Sequence, residues 1–208
     1  MNKYVTELIG TFFLVLTVGS TVIAGAPGVI APLAIGASLM IMIFAGGHIS
    51  GGHYNPAVTL GVWMRGRCDR KDVIPYWIAQ LVGAVLAAAA VGYLKGGATV
   101  APMSLRAGPA LVAEFLFTFA LVYVVLNVAT AKATAGNSFY GLAIGMTVMT
   151  GAFAVGNISG GAFNPAVATG ISLMGLAPWS AYWIYLIGDL FGGALAAVIF
   201  KSLNPEDA

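Results

Sequence analysis

Long apolar stretches, separated by charged residues and by proline or glycine, run along most of the chain. A helix needs about 20 apolar residues to cross a bilayer. Six stretches are near that length, at positions 4–24, 29–45, 73–94, 108–131, 138–155 and 178–200. The pattern predicts six membrane-spanning helices in an all-α membrane protein, with residues 1–208 forming a single domain.

The composition supports this interpretation, since 60% of the 208 residues are apolar and 8% are charged, against about 25% charged in soluble domains. The net charge of +2 comes from scattered residues, which argues against nucleic-acid binding. A single cysteine excludes an internal disulfide and any multi-thiolate metal site. With two histidines, we expect neither a metal nor another cofactor.

The first stretch follows Lys3 and ends near Ala24-Gly25-Ala26, which also resembles a signal peptide. Because Glu7 interrupts it and the stretch is long, we interpret it as the first span. The Lys and Arg residues then divide seven to two between the two sides, which predicts cytoplasmic termini. The seven on the cytoplasmic side are Lys3, Arg65, Arg67, Arg70, Lys71, Lys132 and Lys201, and the two outside are Lys95 and Arg106.

Two glycine-rich segments outside the spans repeat each other. The first reads GGHISGGHYNPAV from Gly46 and the second VGNISGGAFNPAV from Val155, with nine of thirteen positions identical. We therefore expect a duplicated chain, with repeat one at 1–97 and repeat two at 107–208. Because each half has three spans, the second half must be inverted relative to the first.

Each segment contains Asn followed by Pro, a helix-start signal in which Asn caps the free N–H groups and Pro takes the first helical position. Asn55 and Asn164 are thus predicted N-caps of half-helices at 56–65 and 165–174. About 15 Å long, each would cross half a bilayer, so the two would meet at their N-termini in the midplane.

Irregular backbone at 48–54 and 157–163 would lead to these caps, and at that depth it must line water. Glycines would turn its carbonyl groups into the pore. The predicted pore-lining backbone positions are Gly51, Gly52, His53, Gly160 and Gly161. The positive helix ends would repel cations, and the two Asn amides would donate to a passing oxygen atom. The sequence therefore predicts a pore for uncharged solutes.

The two motifs, Asn55-Pro56-Ala57 and Asn164-Pro165-Ala166, resemble the major intrinsic protein family, the aquaporins. The resemblance covers the whole chain, and implies a passive channel for water and small neutral solutes, without enzyme activity. It also implies a homotetramer with a pore in each subunit. Two acids inside the spans, Glu7 and Glu114, would by this resemblance brace the re-entrant loops. His53 would lie near the cytoplasmic mouth as a hydrogen-bonded loop residue.

The resemblance places a four-residue selectivity filter at Ile35, Ala152, Gly161 and Val167. Water-selective relatives have Arg at the last of these positions, whereas Val167 resembles some plant tonoplast intrinsic proteins. We expect a wider, more apolar filter that admits hydrogen peroxide, ammonia or urea as well as water. Glycerol facilitators have Asp where this chain has Ala168, which makes a glycerol-type facilitator the alternative.

Two other classes of protein remain as alternatives. An intramembrane serine protease would use Ser50 or Ser159, yet the duplicated segments are symmetric and the second has Asn157 and Ala162 where histidines would be needed. An ion-coupled transporter could share the inverted repeat, but the acids lie outside the helix caps. Asp189, whose repeat counterpart is Gln80, has no assigned role. The short loops favour a prokaryotic plasma-membrane protein.

Overall fold

The computed structural model describes residues 1–23 and 28–207, and the chain within these ranges is built from α-helices. The helices are α1 Asn2–Val22, α2 Ile30–Ser50, α3 Pro56–Met64, α4 Arg70–Leu94, α5 Ala107–Thr130, α6 Tyr140–Ser159, α7 Pro165–Leu173 and α8 Tyr182–Leu203. In these ranges six of them are long and apolar enough to cross a membrane, and α3 and α7 are the two half-helices. The predicted fold class is confirmed.

The two helices that lead into the repeated segments are longer than predicted. The apolar stretches ended at positions 45 and 155, but α2 continues to Ser50 and α6 to Ser159. The glycines there do not break the helix, because the absence of a side chain lets other groups pack closely, as Tyr54 does against Gly46. Both helices stop at a left-handed glycine, Gly51 or Gly160, a common helix C-terminus.

The remaining bounds agree with the prediction to within a few residues. The half-helices end one residue earlier than predicted, at Met64 and Leu173. The first span ends at Val22, and the Ala24-Gly25-Ala26 segment lies outside the described residues. Because α2 and α6 each take in the first three of the seven positions expected to be irregular, the non-helical stretch before each motif shrinks to positions 51–54 and 160–163.

Equivalent glycines bring the helices of each half into backbone contact. A Cβ on Gly83 of α4 would lie 2.5 Å from the carbonyl oxygen of Leu8 in α1. A Cβ on Gly192 of α8 would lie 2.6 Å from the carbonyl oxygen of Phe115 in α5. The α1–α4 and α5–α8 pairs therefore pack at distances that exclude any side chain at these positions.

The two halves meet along α2 and α6 in a reciprocal way. Gly36 of α2 packs against the carbonyl oxygen of Gly145 in α6, and Gly145 packs against that of Gly36. Gly141 faces Phe44 of α2 in the same contact, while Gly188 faces α5. The glycine pairs at four-residue spacing, Gly141/Gly145 and Gly188/Gly192, thus serve contacts inside the subunit.

Replacing Gly83 with Ala should lower the free energy of unfolding by about 1–3 kcal/mol, because the new methyl group meets backbone that cannot move aside. The matched control is Gly92→Ala in the same helix, where a Cβ meets nothing within 4 Å. That variant should be unchanged or up to about 1 kcal/mol more stable. Denaturant unfolding in detergent micelles measures both, and equal stabilities would contradict the packing argument.

Candidate functional site

The two Asn-Pro motifs cap the half-helices as local sequence chemistry requires. The side-chain oxygen of Asn55 accepts a hydrogen bond from the Ala57 N–H at 2.8 Å. That of Asn164 accepts from the N–H groups of Ala166 at 2.9 Å and Val167 at 3.4 Å. Both caps have extended backbone and both are followed by proline at the first helical position. Each amide oxygen is committed to its own helix, which leaves the NH2 group for other partners.

The same two side chains join the halves of the molecule. Asn55 Nδ2 donates to the carbonyl oxygen of Phe163 at 2.8 Å, and Asn164 Nδ2 donates to that of Tyr54 at 2.9 Å. The N-termini of α3 and α7 therefore meet at the centre of the bundle. One N–H of each amide is used in this way, and the second has no protein partner within residues 1–23 and 28–207.

A buried carboxylate holds the first loop. Glu7, in the second turn of α1, is fully buried and accepts four hydrogen bonds. Its Oε1 accepts from Ser50 Oγ at 2.7 Å and the His53 N–H at 2.9 Å. Its Oε2 accepts from the Tyr54 N–H at 2.6 Å and Gln80 Nε2 at 2.8 Å. Such a set of donors compensates for burying a charge inside the membrane.

The second loop is held in the corresponding way. Glu114 of α5, also fully buried, accepts from Ser159 Oγ at 2.5 Å and from the N–H groups of Ala162 at 3.1 Å and Phe163 at 2.6 Å. The hydroxyls of Ser50 and Ser159 thus both donate to a carboxylate. Neither serine hydroxyl has a histidine or lysine partner among the described residues, as the nucleophile of the protease alternative would need.

These hydrogen bonds fix the direction of the loop carbonyls. A trans peptide points its C=O away from the N–H of the next residue. Since the N–H groups of positions 52–54 and 161–163 point toward Glu7 or Glu114 and the adjoining serines, the preceding carbonyls point the other way. They belong to Gly51, Gly52 and His53 in the first loop and to Gly160, Gly161 and Ala162 in the second.

A cavity of about 950 Å³ opens at one end of the bundle and reaches Gly51 and His53. We call it the charged cavity, because its wall includes Lys3, Arg67, Asp69, Asp72 and Lys132. His53 is buried between the cavity and α3, with Nδ1 3.1 Å from Thr59 Oγ1. It is a hydrogen-bonded loop residue in this structure. The end of α2 and the start of α6 both line this cavity, so these two helices run antiparallel.

The four filter positions lie on three helices and the second loop. Gly161 has φ of +62°, and a Cβ on it would lie 3.5 Å from the Cα of Ala152, so these two are neighbours. Val167 is buried in the first turn of α7. Ile35 is half-buried in the early part of α2, and Ala152 is in the late part of α6. Since α2 and α6 are antiparallel, both lie away from the charged cavity.

A known protein family matches nearly the whole chain. The family model described as Major intrinsic protein matches residues 1–200. The chain belongs to the major intrinsic protein family. It is a passive membrane channel for water and small uncharged solutes and is not an enzyme.

Relatives in the family match along nearly the whole chain. A protein of Lactiplantibacillus plantarum described as glycerol uptake facilitator protein-like 6 is 36% identical, covering 100% of both chains. Aquaporin TIP4-2 of Zea mays is 36% identical over 98% of this chain and 85% of its own. The aquaglyceroporin structure from Plasmodium falciparum shares the fold, with TM-score 0.82 and 22% identity over 99% of this chain and 98% of that one.

Three residues that contact the two loops had no role predicted from the sequence. Tyr76 Oη donates to the carbonyl oxygen of Ser50 at 2.7 Å, and Tyr185 Oη donates to that of Ser159 at 2.7 Å. The repeat could have indicated the role of the two tyrosines, since they are 109 positions apart, as the two motifs are. Met103 carried no such signal, yet its sulfur lies against Gly160, where a Cβ would be 3.2 Å away.

Replacing Asn55 with Ala should lower the free energy of unfolding by about 1–3 kcal/mol, because it removes a helix cap and leaves the Phe163 carbonyl without its donor. Asn2→Ala, at an exposed position near the N-terminus, is the control and should change stability by less than about 0.5 kcal/mol. Unfolding in detergent micelles measures both. Equal stability of the two variants would show that the crossed amides contribute little.

Proposed function

We propose that the channel conducts water together with somewhat larger uncharged solutes, of which hydrogen peroxide, ammonia and urea are the candidates. The observation that carries this proposal is the uncharged character of the filter positions, above all Val167 in place of an arginine. Ala152 and Gly161 add little bulk, because neither has a side chain beyond a methyl group. These features support a filter that is wider and less polar than that of a strict water channel.

The missing arginine affects charged and neutral solutes differently. A fixed positive charge about 5 Å from a cation contributes roughly 3 kcal/mol of repulsion at an effective dielectric constant near 20. An arginine would also occupy the passage and hydrogen-bond solutes in it. Without that side chain, the filter relies on the loop carbonyls for polar contacts, and these accept hydrogen bonds from water, urea or ammonia alike.

Exclusion of ions and protons then rests on the centre of the pore. The α3 and α7 N-termini together provide about one unit of positive charge beside the two asparagines. The free N–H of each amide, on Asn55 and Asn164, can donate to one water oxygen. A water held in this way by both amides cannot accept a proton from its neighbour, so the hydrogen-bonded wire through the pore is interrupted.

A glycerol-type facilitator is the second candidate. It is favoured by the full-length similarity to the relative described as a glycerol uptake facilitator. Two observations argue against it. Glycerol facilitators of the family have Asp at the position of Ala168, and the residues at two further positions, Ser172 and Tyr185, are those of the water-channel branch. Water and small amides or peroxides therefore remain the better-supported solutes.

We further propose that residues 1–97 and 107–208 are the two repeats of one channel domain, and that four copies assemble in a prokaryotic plasma membrane. Family resemblance supports the tetramer, and the short loops support a prokaryotic plasma membrane as its location. Many side chains that face outward from the spanning helices are apolar, as contact with lipid or a neighbouring subunit requires. Examples are Ile78, Val112, Phe191 and Val198. The basic residues of the charged cavity support its placement on the cytoplasmic side.

Stopped-flow measurements on proteoliposomes test the solute range. We expect urea and hydrogen peroxide to permeate with water, in proportion to their gradients and without dependence on an ion gradient. Val167→Arg should reduce urea permeation by about tenfold or more, since a change of about 1.4 kcal/mol in the barrier corresponds to that factor. The matched control is Val167→Met, because Met is similar to Arg in length but uncharged. This variant should reduce urea permeation less.

Three outcomes of this experiment are informative. Passage of water alone would overturn the broad filter. Unchanged urea permeation in Val167→Arg would show that Val167 does not lie at the constriction. Glycerol permeation as fast as that of urea would favour the facilitator.

Side-specific cysteine labelling tests the orientation. The native Cys68 should react slowly, because burial raises the pKa of its thiol to about 11, and Cys68→Ser removes it altogether. In that background, Lys71→Cys should react with a membrane-impermeant maleimide only from the cytoplasmic side, and Arg106→Cys only from the outside, since both positions are exposed. The reverse pattern would invert the proposed topology.

A further inference from the structure

Asp189 is a fully buried acid in the middle of α8, with no role in the family resemblance described above. Thr118 Oγ1 donates to its Oδ1 at 3.0 Å. No N–H or O–H group of the described residues donates to its Oδ2. Burying a carboxylate oxygen without a hydrogen-bond donor costs free energy, so the protonation state of Asp189 has to be explained.

The carboxyl group of Glu114 is a near neighbour of Asp189, as is the Asn164 N–H. The backbone contacts agree, since a Cβ on the adjoining Gly188 would lie 3.0 Å from Glu114 Cβ. Thr118, which donates to Asp189, is four residues after Glu114 on the same face of α5. Two carboxyl groups in contact, both buried, cannot both be ionised without a large repulsion.

The first half of the molecule contains the neutral counterpart of this pair. Gln80, the repeat equivalent of Asp189, donates through Nε2 to Oε2 of Glu7 at 2.8 Å. Oε2 of Glu7 thus has two donors, Gln80 and the Tyr54 N–H. Oε2 of Glu114 accepts only from the Phe163 N–H among the N–H and O–H groups of the described residues. The position that Gln80 fills in one half is filled in the other by an acid.

We infer that Asp189 is a protonated carboxylic acid that donates its Oδ2–H to the ionised Glu114, so that this pair carries one proton and one negative charge. Asp189 is thereby a positioning residue for the second loop, acting through Glu114. The proton belongs on Asp189 rather than Glu114, because Glu114 already accepts three hydrogen bonds, which favour its ionised form. Each half then contains one buried loop-holding carboxylate with a full set of donors.

The inference does not depend on which solutes pass. A protonated Asp189 can be told apart from one that only fills space in α8, because its acid proton can be detected. It also predicts that an amide can replace the acid: Asn at position 189 would donate through Nδ2 to Glu114 and accept from Thr118 through Oδ1.

Infrared spectroscopy of the purified protein in vesicles at neutral pH detects the proton. We expect a C=O stretching band of a protonated carboxylic acid that shifts when the protein is labelled with aspartate carrying carbon-13 in the side-chain carboxyl, but not with similarly labelled glutamate. Asp189→Asn should abolish the band. Asp69→Asn, which removes an exposed carboxylate, is the matched control and should leave it unchanged.

Water permeability per channel supplies the second readout. Asp189→Asn should stay within about twofold of the original chain, because the donor to Glu114 is kept. Asp189→Ala should lose about tenfold or fail to assemble, because it leaves Glu114 without that donor. The absence of an aspartate-dependent acid band, or a band that follows the glutamate label, would overturn the inference. So would an Asn variant as impaired as the Ala variant.

Discussion

One buried carboxylate in each half of the chain, Glu7 or Glu114, holds the backbone on which the channel depends. Burying a carboxylate in a membrane costs several kcal/mol unless hydrogen bonds replace the lost water. Here the replacement comes from consecutive backbone N–H groups and a serine hydroxyl of the loop itself. The acid cannot be satisfied without the loop, and the loop N–H groups cannot be satisfied without the acid.

This mutual requirement explains a backbone that would otherwise be unfavourable. Tyr54 and Phe163 have φ of +51° and +47°, a left-handed conformation that costs a non-glycine residue about 1–2 kcal/mol. Each is held there by its N–H bond to the carboxylate and by the opposite asparagine, which binds its carbonyl. The left-handed turn brings the chain from the end of α2 or α6 to a helix cap in only four residues.

The crossed asparagine bonds carry this arrangement from one half to the other. Because Asn55 binds Phe163 and Asn164 binds Tyr54, neither loop can move without breaking a bond to the other. The centre of the pore is thus rigid and nearly symmetric. The halves differ in side chains such as Gln80 and Asp189, in His53 of the first loop and Ala162 of the second, and at the filter positions beyond the second loop.

Much of the fold could be predicted from residue pattern. Apolar length gave six spans because lipid imposes a minimum length, and Asn-Pro gave the half-helices because capping is local chemistry. The prediction was wrong on the extent of irregular backbone, which is shorter than 48–54 and 157–163. Glycine disfavours a helix in isolation, but close packing, as of Tyr54 against Gly46, outweighs that preference in the folded molecule.

The sequence by itself determined the number of spans, the duplication and the two capped half-helices, since each follows from composition, spacing or local hydrogen bonding. Only the tertiary structure decided which groups meet: Asn55 with the Phe163 carbonyl, Tyr76 with the Ser50 carbonyl, and Asp189 with Thr118 and Glu114. These partners are 26 to 108 positions apart. Their contact depends on how whole helices pack, and no local pattern records that.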